Sequence, residues 1–205
     1  MSSLRAYRLT LQAFQSKRLR RDYRDLSAMA QYTPVGEFFF EEMYGPRDFS
    51  ERDASARRLQ HFLHMLPGVH LRDIEEVLDL LELTVNLDDQ LARMMHAEAA
   101  PLDFDEPTYE AYYRRQDNYD ERLRQLDLVR SCLLNVFHLS RSALLGVALH
   151  RSRLVARLTG IEAVHTFLTK GYDALRGVQS IDHFSDTIYS RELKRLDRIY
   201  GVTTP

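Results

Sequence analysis

LRDIEEVLDLLELTVNLDDQLARMMHAEA, residues 71–99, carries two apolar stripes rather than one. Leu71, Ile74, Leu78, Leu81 and Val85 recur at three- and four-residue steps, and Leu80, Leu83, Leu87, Leu91 and Met94 follow a second track. Residues three and four apart share a face of an α-helix, so both tracks are helical. One stripe would dock such a helix on a single neighbour; two require apolar neighbours on two sides. The stretch therefore reads as the central helix of an all-α protein.

The same period runs outward in both directions, and no segment alternates with period two between turn residues. Leu4, Tyr7, Leu11, Phe14, Arg18 and Tyr23 predict a first helix from about residue 4 to residue 30. Tyr32-Thr33-Pro34 opens a short second helix, with Thr33 as N-cap and Pro34 in its first turn, stopping at Gly45-Pro46. A third starts at Asp48 or Ser50, each heading a capping box, and ends at Pro67-Gly68. After an acidic loop from Pro101 to Pro107, no Pro or Gly occurs from Thr108 to Leu145. That run is one very long helix or two, and a break near Ser140-Arg141-Ser142 is preferred. Thr159 with Glu162 predicts a capping box for a helix reaching Gly177. Ser180 caps the last helix, and Gly201 closes it. The expected architecture is a single compact domain over residues 1–205, a bundle of about seven helices. Its centre combines the 71–99 helix with the Leu123–Leu149 region.

Composition excludes more than it selects. Of 205 residues, 44% are apolar and 28% charged, and the formal charge is −2. That balance gives no global attraction to nucleic acid or to acidic membranes. The lone cysteine, Cys132, sits in SCLLNVF, where a buried inert thiol is expected and a reducing, cytoplasmic compartment fits. Arg5 and Arg8 interrupt any secretory signal. The acid-free, Arg- and Ser-bearing first 21 residues resemble a transit peptide, yet an amphipathic first helix explains them equally and is preferred. The longest apolar run, Cys132 to Leu149, holds Asn135, His138 and Arg141 and is too polar to span a bilayer. Charge is uneven: residues 1–30 carry seven basic and two acidic side chains, residues 71–110 two and twelve.

Glu162 and His165 form one Glu-x-x-His pair of the kind that di-metal bundles use twice, but a second copy is missing. His61 and His64 share a face without a carboxylate at obvious spacing. No metal and no other cofactor is therefore expected. A Gly-x-Ser-x-Gly elbow and a phosphate-binding glycine loop are both absent. Lys17-Arg18-Leu19-Arg20-Arg21 could touch nucleic acid, with Arg24, but Asp22 and Asp25 follow at i,i+4, and a solvated face is preferred. Tyr109, Tyr112, Tyr113 and Tyr119 read as the wet edge of a core.

One segment concentrates bulky and ionisable groups: FFFEEMYGPRDFSERD, Phe38 to Asp53. Glu41, Glu42, Tyr44, Arg47, Asp48, Arg52 and Asp53 form a candidate polar cluster against three phenylalanines. The cluster is either an Arg–carboxylate lock between two helices or a pocket for a polar ligand. The segment resembles an FFxxxxYGPxDFxxRD pattern of uncharacterised bacterial proteins, a resemblance that continues through SALLGVALHRSRLVARLTG and the REL of the final helix. It implies a helical, soluble, intracellular bacterial protein and supplies no activity. The leading expectation is a non-enzymatic binding or scaffold protein with a protein or small-molecule partner. Nucleic acid and membrane are not expected, and a homo-oligomer is compatible. The alternative is a ferritin-like or haem-oxygenase-like metal enzyme.

Overall fold

From Ile74 onward the two apolar tracks are buried or half-buried. In the computed structural model, which describes residues 3–43, 45, 48–65 and 72–202 (side chains of 62–65 excepted), they lie on one 26-residue helix. The helices are α1 (Leu4–Asp22), α2 (Arg24–Ser27), α3 (Thr33–Phe38), α4 (Ser50–Met65), α5 (Arg72–Ala97), α6 (Glu106–Arg115), α7 (Tyr119–Ser140), α8 (Ala143–Arg151), α9 (Arg153–Leu158), α10 (Glu162–Arg176) and α11 (Asp182–Tyr200). A π-turn, Phe39–Met43, continues α3. No strand occurs among the described residues. Tyr44, Pro46, Arg47, Leu66, Pro67-Gly68 and Leu71 lie outside the described residues, as does the His64 side chain.

Helix α5 packs against α1, α4, α6 and α7 and passes through two apolar cores. Its Val77, Leu78, Leu80 and Leu81 join Tyr32, Val35, Phe40, Val129, Leu133, Val164, Phe167 and Phe184 in the larger. Its Leu91, Ala92 and Met95 join Tyr7, Leu11, Phe104 and Tyr109 in the smaller. Between the two lie Thr84 and Asp88, so the middle of the helix is polar where its ends are apolar.

Eleven helices among the described residues replace the seven expected, because breaks fall where no Gly or Pro marks them. The first expected helix divides at Tyr23, whose backbone (φ −117°, ψ 22°) leaves the helical region. The run after Thr108 divides at Gln116–Asn118, with Asp117 left-handed at φ 52°. The expected break near Ser140-Ser142 is present, and α7 and α8 meet at a bend of 94°. That bend corrects the expected centre: Val129, Cys132 and Leu133 of α7 are buried, but Leu144 and Val147 of α8 swing clear of the core and are exposed.

Three expected caps are also revised. Thr33 is the first residue of α3, and its hydroxyl donates to the Ser27 carbonyl at 2.8 Å. The Thr159 hydroxyl donates back to Val155 O at 2.9 Å, closing α9 rather than opening α10. The start of α10 is instead capped across the fold: Ser55 Oγ of α4 accepts from the buried Val164 N–H at 2.8 Å. Ser180 Oγ accepts only a long bond, 3.4 Å, from Asp182 N. Gly201 ends α11 at φ 70°, as expected.

No single helix among the described residues is long and apolar enough to cross a membrane.

Candidate functional site

The expected corner is cross-braced to two other helices, α1 and α10. The π-turn aims Glu41 at Arg20 of α1 and Glu42 at Lys170 of α10, the latter at 2.6 Å. Gly45 follows with the chain folded so tightly that a Cβ there would collide with the Glu41 carbonyl oxygen. Arg52 is buried at the centre. Its Nε and Nη2 donate to Asp53 Oδ1 at 2.9 and 2.7 Å, Nη1 donates to the Glu42 carbonyl, and the guanidinium lies 4.1 Å from the Phe49 ring centroid and 5.4 Å from that of Phe167. Asp48 accepts from Ser50 N at 3.0 Å and from the Ser50 hydroxyl, and it faces Arg5 at 3.4 Å. Those hydrogen bonds from Ser50, ahead of Arg5, hold its carboxyl below the usual range. Tyr44 and Arg47, the other members of the expected cluster, lie outside the described residues.

An open groove of about 490 Å³ borders this corner, with Arg5, Arg8, Asp48, Asp53 and Arg57 among its walls. The groove reaches inward to Asp88. Asp88 is also a wall of a smaller interior chamber of about 100 Å³, enclosed by α1, α5, α6, α7 and α11.

This chamber is the polar layer between the two apolar cores, and each helix contributes where its buried stripe turns polar. Arg18 of α1 makes a two-point pair with Glu192 of α11, at 2.7 and 3.2 Å, and Tyr23 donates to the same carboxylate at 2.7 Å. Arg122 of α7 has a side chain only 3% exposed, lies 4.4 Å from the Tyr113 ring centroid, and reaches Asp88 only at 3.5 Å. It also donates to Gln125 Oε1 and to the Leu87 carbonyl, both at 3.3 Å. Gln15 donates to Asp88 at 3.1 Å, and Gln125 donates to Thr84 at 2.9 Å. Three side-chain atoms of residues that line the chamber are nevertheless buried with no hydrogen-bond partner among the described residues: Arg18 Nε, Arg122 Nε and Gln15 Oε1. Unpaired buried donors cost about 1–3 kcal/mol each, so folded proteins seldom retain them without water or a ligand.

The electrostatics are one-sided. Burial works against the Arg18 charge, but Glu192 beside it more than offsets that and raises its proton affinity. Burial pushes the Asp88 carboxyl above its ordinary range, opposed by Arg122. Burial likewise raises the phenols of Tyr109 and Tyr113, keeping both as neutral walls. Arg18 thus has a close counter-charge in Glu192, whereas Arg122 reaches its carboxylate, Asp88, only at 3.5 Å.

A model for a domain of unknown function, DUF8198, matches residues 1–204. The chain belongs to the DUF8198 family. DUF8198 is by its description a domain of unknown function, so membership brings no activity to the chamber. No curated protein and no solved structure matches this DUF8198 chain.

Other sequence candidates are directed elsewhere in the DUF8198 fold. His165 Nε2 sits 2.9 Å from the Leu149 carbonyl oxygen and 3.0 Å from Ser152 Oγ. Glu162 faces Arg153 and Arg157 at 3.8 and 3.7 Å, so the Glu-x-x-His pair does not converge. No three His, Cys, Asp or Glu side chains among the described residues converge as metal ligands. Burial, followed by Glu76, pushes the Cys132 thiol up to about 12. In the basic run at 17–21, Lys17, Arg20 and Arg21 are exposed as expected, with Arg20 and Arg21 bridging to Glu41 and Glu106, while Arg18 turns inward to Glu192. The tyrosines are likewise divided: Tyr109 is buried, and Tyr119 donates to Asp197 at 2.7 Å. The signal for the chamber was present in the sequence. Arg18 falls on the apolar stripe of α1, and Thr84 lies four residues beyond Leu80 on that of α5.

Proposed function

We propose that this chain is a non-enzymatic binding protein of the bacterial cytoplasm whose ligand is a small carboxylate held in the polar chamber. The observation that carries this reading is the pair of buried guanidinium donors, Arg18 Nε and Arg122 Nε, which lack partners among the described residues and belong to two arginines lining one cavity. A carboxylate supplies the acceptors that both lack, and a hydroxyl or ammonium group on the same molecule would suit Gln15 Oε1. The buried guanidinium groups of Arg18 and Arg122 favour an anion over a neutral guest. A volume of about 100 Å³ equals the liquid share of about three waters, which limits the guest to a very small acid.

On this reading the FFxxxxYGPxDFxxRD segment has two roles. Its Arg52 and carboxylates brace α4 against α10, while Asp48 and Asp53 border the groove that leads to Asp88. Melting the protein with formate, acetate, glycolate, lactate or glycinate tests the proposal. At least one should raise the melting temperature, because a ligand bound only by the native state stabilises it. Arg122→Lys keeps the charge but loses the guanidinium Nε–H, and it should reduce that shift. A panel that moves nothing, or moves both proteins equally, overturns the proposal.

A further inference from the structure

Helices α8 and α9 are packed inside out. Their buried residues are the smallest available, Gly146 and Ala156. A Cβ on Gly146 would run into the Tyr172 hydroxyl and ring, so α8 is seated tightly on α10, and Tyr172 also donates to the Ser142 carbonyl at 2.8 Å. Leu145 and Leu149 are half-buried, but the other large apolar side chains are exposed. Leu144 is 80% exposed, Leu158 78%, Leu154 67%, Val155 61% and Val147 48%. These five are most of the exposed large apolar residues of the described chain, and single exposed leucines are ordinary where a contiguous set is not.

The charges around this face have one dominant sign. No acidic residue occurs between Asp127 and Glu162, while Arg151, Arg153 and Arg157 stand exposed among the apolar residues. Arg58 of α4 reaches the same end, its guanidinium lying over Gly160. From α10 come Glu162, near Arg153 and Arg157, and Asp173, 3.5 Å from His150. Two carboxylates therefore face four arginines. Symmetric pairing of this surface with a second copy would bring the two arginine sets together. A protruding apolar ridge rimmed by arginines instead matches an interfacial helix, whose apolar side chains enter the acyl boundary while the cations meet anionic headgroups.

We infer that the α8–α9 face docks this protein peripherally on an anionic phospholipid surface. The net charge of −2 conceals such a face because acidic α5 offsets it elsewhere in the chain. The inference does not depend on the chamber or on its ligand.

Flotation with vesicles of phosphatidylcholine alone, and of phosphatidylcholine mixed equally with phosphatidylglycerol, tests it on the full chain. The protein should float with the anionic vesicles and not the neutral ones, and added salt should release it. Leu154→Gln with Leu158→Gln should weaken binding more than about tenfold. Arg153→Gln with Arg157→Gln should weaken it on the order of twentyfold, about fivefold per cation at an anionic surface. All four positions are exposed, and circular dichroism checks that both variants stay folded. Absence of flotation with anionic vesicles, or equal flotation by the wild type and both variants, overturns the proposal. So does concentration-dependent self-association that Leu154→Gln with Leu158→Gln abolishes in protein that binds no vesicle, since a second copy would then cover the face.

Discussion

Replacing Ser55 with alanine removes one buried oxygen that serves two helices. Ser55 Oγ accepts from Val164 N at 2.8 Å and donates to the Arg52 carbonyl at 2.9 Å, with Ser55 2% and Val164 0% exposed. In Ser55→Ala the Val164 N–H, one of the first-turn donors of α10, is stranded where no water reaches it. A buried unsatisfied group costs about 1–3 kcal/mol, against which alanine regains about 0.5 kcal/mol of helix propensity. The expected net loss is about 1.5 kcal/mol. At about 2–4 °C per kcal/mol for a chain of this size, the melting temperature should fall by about 3–6 °C. Urea titration followed by far-ultraviolet circular dichroism measures the loss directly, with an unchanged slope confirming the same unfolding reaction. Thr159→Ala is the matched control, because Thr159 and Glu162 look like a capping box in sequence. Its exposed hydroxyl bonds back into α9, so its loss should stay within about 0.5 kcal/mol. If Thr159→Ala costs more than Ser55→Ala, the cap across the fold is wrong.

Gly146→Ala should destabilise by about 1–3 kcal/mol despite the better helix propensity of alanine, because the new methyl meets Tyr172, and a stabilised variant in urea would contradict that contact. Cys132, pushed up to about 12 chiefly by burial, should resist iodoacetamide in the native protein at mildly alkaline pH and react on unfolding; rapid native labelling, read by mass spectrometry, would place the thiol at the surface. Hydrogen bonding from Arg21, then from Arg195, holds Glu106 at about 2, and Arg191 does the same for Asp25. Both folded values lie below the unfolded values of about 4.3 and 3.9. Their stabilisation is therefore present above about pH 4 and lost as pH falls towards 2. Glu106→Gln should flatten the stability profile in that window and leave it unchanged in shape above it.

Residue period made the helices legible, and local punctuation did not. Two stripes on residues 71–99 suffice to mark α5 as central, because helical spacing depends only on nearby residues, but both stripes feed the larger core, and the two cores follow one another along the helix. The breaks at Tyr23 and Asp117 depend on tertiary packing and carry no Gly or Pro, so two expected helices became four. The cap on α10 comes from Ser55, 109 positions away, and no local motif can announce it. The apolar run through Leu149 looked like core, yet the 94° bend after α7 places α8 outside. In the corner, Arg52 and Asp53 pair directly, while Glu41 and Glu42 bridge outside the expected cluster to Arg20 of α1 and Lys170 of α10. The chamber was harder to see. Gln15, Arg18, Thr84, Asp88, Arg122 and Gln125 are scattered over three helices, and each alone passes for a polar interruption of an apolar face. Only their meeting at one level of the bundle turns them into a site.

The proposed binding chamber is tested most directly at its two unpartnered donors. The side-chain Nε–H groups of Arg18 and Arg122 can each be followed by nitrogen-15 NMR and assigned with Arg18→Lys and Arg122→Lys. Titration with the small carboxylates should shift both signals together and saturably, and slow their exchange with water, as one bound acceptor group fills the chamber. Signals that stay fixed through every titration, while the protein remains folded, would contradict a carboxylate site between the two cores.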